Sequence, residues 1–239
     1  MMSNTTPYLI PVVRSITDAH ITVPVAEIEL GPYPRGAVLL LSPAQDPAGT
    51  ALVMNRLAEH GYETLAVDLT KATNTLHWVE LMLKRLADRG WTHEQIGVVG
   101  YRAGADLALR TAAACGLGAA VSVDIPCSAQ PQRIVDRTLR LLQTPWLGLA
   151  AAPQPHAADT HLASRWRHLH CAATVYSEFV CYPNVFEGYC TNSGDTHANS
   201  AAFDSWQRTV EWLDARVVPR LTPLSKAWRA TLAESVGAP

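Results

Sequence analysis

The chain has 239 residues, 48% hydrophobic and 17% charged, with a formal net charge of −2. That is enough to bury one large core, and a single domain over 1–239 is expected. No basic stripe points to nucleic acid, no stretch approaches an 18-residue apolar span, and the opening "MMSNTTPYLIPVVRS" lacks a basic leader and a long apolar run, so a soluble cytoplasmic protein is expected.

In chain order, "DAHITVPVAEIEL" (18–30) alternates and predicts an antiparallel edge hairpin strand. "GAVLLLSP" (36–43) reads as a buried strand, "LVMNRLAEHG" (52–61) as the end of a helix, and "YETLAVDL" (62–69) as a strand. "TLHWVELMLKRLADRG" (75–90) has apolar residues at helical spacing and stops at glycine. Then follow a strand "QIGVVGY" (95–101), a helix "ADLALRTAAACG" (105–116), a strand "GAAVSVDI" (118–125), a helix "IVDRTLRLL" (134–142) and a strand "PWLGLAAA" (145–152). The last elements are a strand "ATVYSEFVCY" (173–182), a long helix (198–217) and a short extra helix (221–236). Continuous apolar strands separated by helices predict an α/β fold, with a mostly parallel sheet covered on both faces and a core over about 18–218.

In such sheets the ligand crevice lies beyond the carboxyl ends of the strands. The residues to watch are therefore Pro43 to Asp46, Asp68, Arg102, Asp124, Gln154 and Glu187. Five cysteines at wide spacing, Cys115, Cys127, Cys171, Cys181 and Cys190, argue against a disulfide framework. "HLHC" (168–171) has no second cluster to complete a zinc site, so neither a metal nor a cofactor is expected.

Four stretches carry a resemblance to a known family. They are "GAVLLLSPAQD", "RLAEHGYETLAVDLT", "IGVVGYRAGADLAL", and "YPNVFEGY" followed by "SWQRTVEWL". In this order and spacing they resemble the dienelactone hydrolase family, and the resemblance implies an α/β-hydrolase fold over most of 36–217. The segment between Asp68 and the elbow is shorter than usual, which implies a short cap. The family's nucleophile falls on Arg102, its histidine on Glu187 and its acid on Gln154. The acidic residue that some members carry in the oxyanion loop falls on Pro43. Gly100 and Gly104 of the elbow remain, as do the backbone N–H groups of Ala44 and Ala103, which with Tyr101 and Asp124 are the expected ligand contacts.

Triad chemistry needs a nucleophile, a base and a group that orients the base. Arg102 cannot attack a carbonyl, because guanidinium stays protonated. The family fold makes the nucleophile and histidine positions neighbours, so a salt bridge between Arg102 and Glu187 is expected, with Gln154 as a third member. Three functions stay open. The protein binds a small, anionic organic molecule as a monomer or homodimer, without a nucleic acid or membrane partner. It catalyses a non-hydrolytic reaction with Glu187 as base and Arg102 as anion clamp. Or it hydrolyses esters through other residues, for which Ser42, Cys127, His156, Asp159 and His197 are considered. His197 is expected to be a surface residue beside a helix cap formed by Asp195 and Thr196, and Trp78 to pack between helix and sheet. The apolar face of the tail helix, Leu221, Leu224, Trp228 and Leu232, is expected to pack onto the core, with dimerisation as the alternative.

Overall fold

The computed structural model describes residues 8–18, 21–41, 47–69, 74–125, 138–152, 173–190 and 195–236. Eight strands form one sheet: β1 (Val12–Asp18), β2 (Ile21–Ile28), β3 (Gly36–Leu41), β4 (Tyr62–Val67), β5 (Ile96–Tyr101), β6 (Ala119–Ile125), β7 (Trp146–Ala152) and β8 (Ser177–Pro183). Their order across the sheet is β1-β2-β4-β3-β5-β6-β7-β8. β1 pairs antiparallel with β2, and β2 with β4; every pairing from β4 through β3 to β8 is parallel. The principal helices are α1 (Pro47–Glu59), α2 (Thr75–Asp88), α3 (Ala103–Ala114), α4 (Thr196–Arg216) and α5 (Pro223–Val236).

The central strands are buried along their whole length because both faces are covered, which is why they read as unbroken apolar runs. Successive side chains alternate between two cores. Leu39, Leu65 and Val98 join Trp78, Met82 and Leu86 of α2 and Ala108 of α3 on one face. Leu40, Val99 and Val121 join Met54 and Leu57 of α1 and Leu213 of α4 on the other. Each such large side chain contributes roughly 1.5–3 kcal/mol by leaving water. Trp78 is 2% exposed and packs between α2 and the sheet as expected. α2 occupies most of the span from Asp68 to β5, and a 3-10 turn at His93–Gln95 closes it.

Two expectations need correction. The alternating stretch at 18–30 forms β2, which lies inside the sheet between β1 and β4. The edge is β1, whose side chains are exposed or half-buried throughout and therefore give no alternating signal. α5 does not pack onto the core: Leu224, Trp228 and Leu232 are 80%, 62% and 41% exposed. The spacing of its apolar stripe was sound, but spacing alone does not say what a stripe faces. Of the predicted helix at 134–142, residues 134–137 lie outside the described residues, and 138–140 are helical.

Candidate functional site

The site is built on the turn between β5 and α3. β5 ends at Tyr101, and α3 begins at Ala103. Arg102, between them, has φ 52° and ψ −112°, a left-handed conformation that a non-glycine residue rarely adopts. Such strain costs on the order of 1–3 kcal/mol and persists only where the surroundings enforce it. The enforcement is visible. The Arg102 N–H donates to the Val123 carbonyl on β6 at 2.9 Å, and the Ala105 N–H donates to the Arg102 carbonyl at 2.9 Å. A Cβ at Gly100 would collide with the Gly104 carbonyl, and one at Gly104 with the Leu41 carbonyl, so both glycines are required by close backbone approach. This strand–turn–helix geometry is that of a nucleophile elbow. Arg102 stands at its tip, exposed, with the exposed Ala103 opening the helix.

The expected salt bridge between Arg102 and Glu187 does not form. Among the described residues no carboxylate lies within 4.0 Å of the Arg102 guanidinium. The expectation assumed that Arg102 is buried and must be neutralised. Arg102 is exposed, so water solvates its charge and no burial cost enforces that pairing. Gln154, Ala44, Pro43, Ser42, Cys127, His156, Asp159 and the "HLHC" stretch lie outside the described residues.

The group that the elbow and the Glu187 turn share is Asp124. It is the penultimate residue of β6 and only 1% exposed. The β6–β7 register shifts between Val123 and Ile125, and Asp124 takes φ 57° at that irregularity, which re-aims its side chain. Its Oδ2 accepts a hydrogen bond from the Gly188 N–H at 2.8 Å, tying β6 to the turn that carries Glu187. Its Oδ1 is buried with no hydrogen-bond partner. Burial pushes the carboxyl up to about 6, against the opposing pull of the Gly188 N–H and the Arg102 charge, while Glu187 pushes it further up. Arg102 and Glu187 thus both act electrostatically on Asp124.

Other nearby groups are occupied or inert. The Ser122 hydroxyl donates to the Ala105 carbonyl at 2.7 Å and accepts from the Trp146 indole N–H at 2.9 Å. Burial, followed by the Asp124 charge, pushes the Cys190 thiol up to about 12, so it carries no thiolate at neutral pH. Tyr101 is half-buried against the α1/α4 core, and burial raises the pKa of its hydroxyl. His197 is exposed in the first turn of α4, where the Asp195 side chain accepts from the His197 and Ala198 N–H groups. Sequence reasoning placed Asp124 among the ligand contacts but missed its central position and the presence of Cys190 beside it. The only available hint for Cys190 was its place three residues after Glu187 in "FEGYC".

The model of the dienelactone hydrolase family matches residues 73–217, which include the elbow, Asp124 and Glu187. The chain belongs to the dienelactone hydrolase family. Solved structures share the fold of this family member at low sequence identity. A protein from Klebsiella pneumoniae subsp. pneumoniae MGH 78578, assigned as a dienelactone hydrolase, superposes with a TM-score of 0.70 at 18% identity, covering 86% of this chain and 98% of its own. Dienelactone hydrolase from Anabaena variabilis ATCC 29413 gives 0.60 at 14%, covering 87% and 98%. The acylaminoacyl peptidase of Pyrococcus horikoshii gives 0.64 at 11%, covering 87% of this chain and 42% of the peptidase. Together they make the fold that of the α/β-hydrolases. No curated protein sequence matches the chain. No helix among the described residues is long and apolar enough to cross a membrane.

Proposed function

We infer that this member of the dienelactone hydrolase family is a non-hydrolytic protein that binds a small organic anion at the elbow. The observation that carries this reading is Arg102: an exposed cation at the tip of a strained elbow, with no carboxylate within 4.0 Å among the described residues. Guanidinium offers a planar fork to a carboxylate or phosphate, and the N-terminus of α3 adds a second attraction for negative charge. The residues equivalent to the family's triad, Arg102, Gln154 and Glu187, supply no nucleophile, and Cys190 and Ser122 do not replace one. The proposal includes a cytoplasmic monomer or homodimer without a nucleic acid or membrane partner, in keeping with a net charge of −2.

A second reading, proton-transfer catalysis, has one observation in its favour. A carboxyl pushed up to about 6, as that of Asp124 is, exchanges protons near neutral pH, as a general acid or base must.

Incubation with p-nitrophenyl acetate and with serine- and cysteine-directed covalent probes separates hydrolase from non-hydrolase. The expected result is turnover no faster than that of an Arg102→Ala variant, and no stoichiometric labelling. Saturable ester turnover with specific labelling of one residue would overturn the proposal.

A further inference from the structure

We propose that Asp124 binds the ligand as a neutral carboxylic acid, so that uptake of an organic carboxylate at Arg102 is coupled to uptake of a proton. This rests on the anion-binding reading and gives it a ligand class and a pH dependence.

The geometry supplies the argument. The elbow and Asp124 are adjacent, because the Arg102 N–H is bonded to the carbonyl of Val123, the residue before Asp124. The register shift in β6 and the positive φ of Asp124 hold its carboxyl buried under the turn that carries Glu187. One carboxyl oxygen is satisfied by Gly188; the other is buried and has no partner. A buried polar atom without a partner costs free energy that a bound group can recover.

What it can bind follows from its proton. Ionised, the carboxyl is an acceptor only and repels an anionic oxygen. Protonated, it carries one O–H donor and forms a short, charge-assisted bond to a carboxylate oxygen. Among the described residues, the charged and titratable groups near Asp124 are Arg102 from the elbow and Glu187, Tyr189 and Cys190 from the turn after β8. Arg102 is the one cation of the set and supplies the counter-charge for the ligand. Glu187 disfavours a second anion beside it. The occupied site therefore contains Arg102, one ligand carboxylate and one shared proton on Asp124.

The free carboxyl titrates at about 6, and an adjacent anion raises that value further. Below the free value the proton is already present and affinity is flat; above it, each binding event must take up a proton, and affinity falls by about tenfold per pH unit.

The test is calorimetric titration of the full chain with acetate, benzoate and succinate between about pH 5 and about pH 8, in two buffers of different ionisation enthalpy. The comparison variant is Asp124→Asn, whose amide oxygen still accepts from Gly188 and whose N–H₂ donates at every pH. For wild type the expected results are weakening of about tenfold per unit above the carboxyl's titration, with uptake approaching one proton. For Asp124→Asn they are pH-independent binding, tighter than wild type at the alkaline end, with thermal unfolding showing a folded protein. Wild-type binding with no proton uptake, or with the same pH profile as Asp124→Asn, overturns the Asp124 proposal and leaves anion binding at Arg102 intact. Failure of all three carboxylates to bind wild type at any pH overturns the anion-binding reading and this proposal with it.

Discussion

At the scale of single residues, the elbow keeps its backbone strain with a guanidinium at the tip. Arg102 gains nothing sterically from φ 52°, a value at which glycine is unstrained. If the strain is maintained by the hydrogen bonds to β6 and within α3, relieving it should stabilise the fold. Arg102→Gly is therefore expected to raise unfolding free energy by about 1 kcal/mol in urea denaturation, the relief of strain being partly offset by the greater chain entropy of glycine. The same variant should lose carboxylate binding. A variant less stable than wild type would show that the Arg102 side chain itself holds the elbow. The elbow was legible in the sequence because "GYRAG" retains both glycines, whose positions admit no Cβ. The absence of an Arg102–Glu187 ion pair is not legible in the sequence, because neighbouring positions in a fold do not say whether a side chain there is buried or, like Arg102, exposed. The role of Asp124 was not legible in full, because it depends on a register shift and a positive φ that no residue type around it announces.

At the scale of elements, the hairpin β1–β2 is held to α2 by a charge cluster. Glu27 on β2 is 2% exposed and receives Arg89 at 2.9 Å, Arg14 at 3.1 Å and a hydrogen-bonded ion pair from Arg85. Burial pushes its carboxyl up, but the Arg85 hydrogen bond and the charges of Arg89, Arg85 and Arg14 outweigh that and hold it below the ordinary glutamate value. A lowered value means that the stability Glu27 contributes is present above the unfolded pKa and lost as pH falls through the folded one. Glu27→Gln is expected to cost about 3 kcal/mol at neutral pH, and the difference from wild type should shrink in acid. Equal denaturation midpoints at neutral pH would contradict this. The parallel strands β3 to β7 were readable as apolar runs, whereas β1 was not, since its side chains face solvent and carry no pattern. α5 shows the opposite failure: its periodicity predicted the helix, but an exposed Leu224–Trp228–Leu232 stripe cannot be told from a buried one by spacing.

At the scale of the molecule, the sheet order and the parallel run from β4 to β8 bring three separate chain segments to one rim: the elbow after β5, the end of β6, and the turn after β8. That placement is a property of the fold, shared with structures only 18% and 14% identical to this chain. What the rim does is a property of the side chains mounted on it. Here those are a cation, a buried carboxyl with one unsatisfied oxygen, and an exposed glutamate. Together they are proposed to hold a carboxylate. This is tested most directly by a crystal structure of the protein grown in benzoate. Benzoate is expected at the elbow, its carboxylate bridged by the Arg102 guanidinium and within hydrogen-bond distance of Asp124 Oδ1. An elbow with no benzoate in crystals that hold it elsewhere, or an Arg102 side chain turned onto a protein carboxylate, would contradict it.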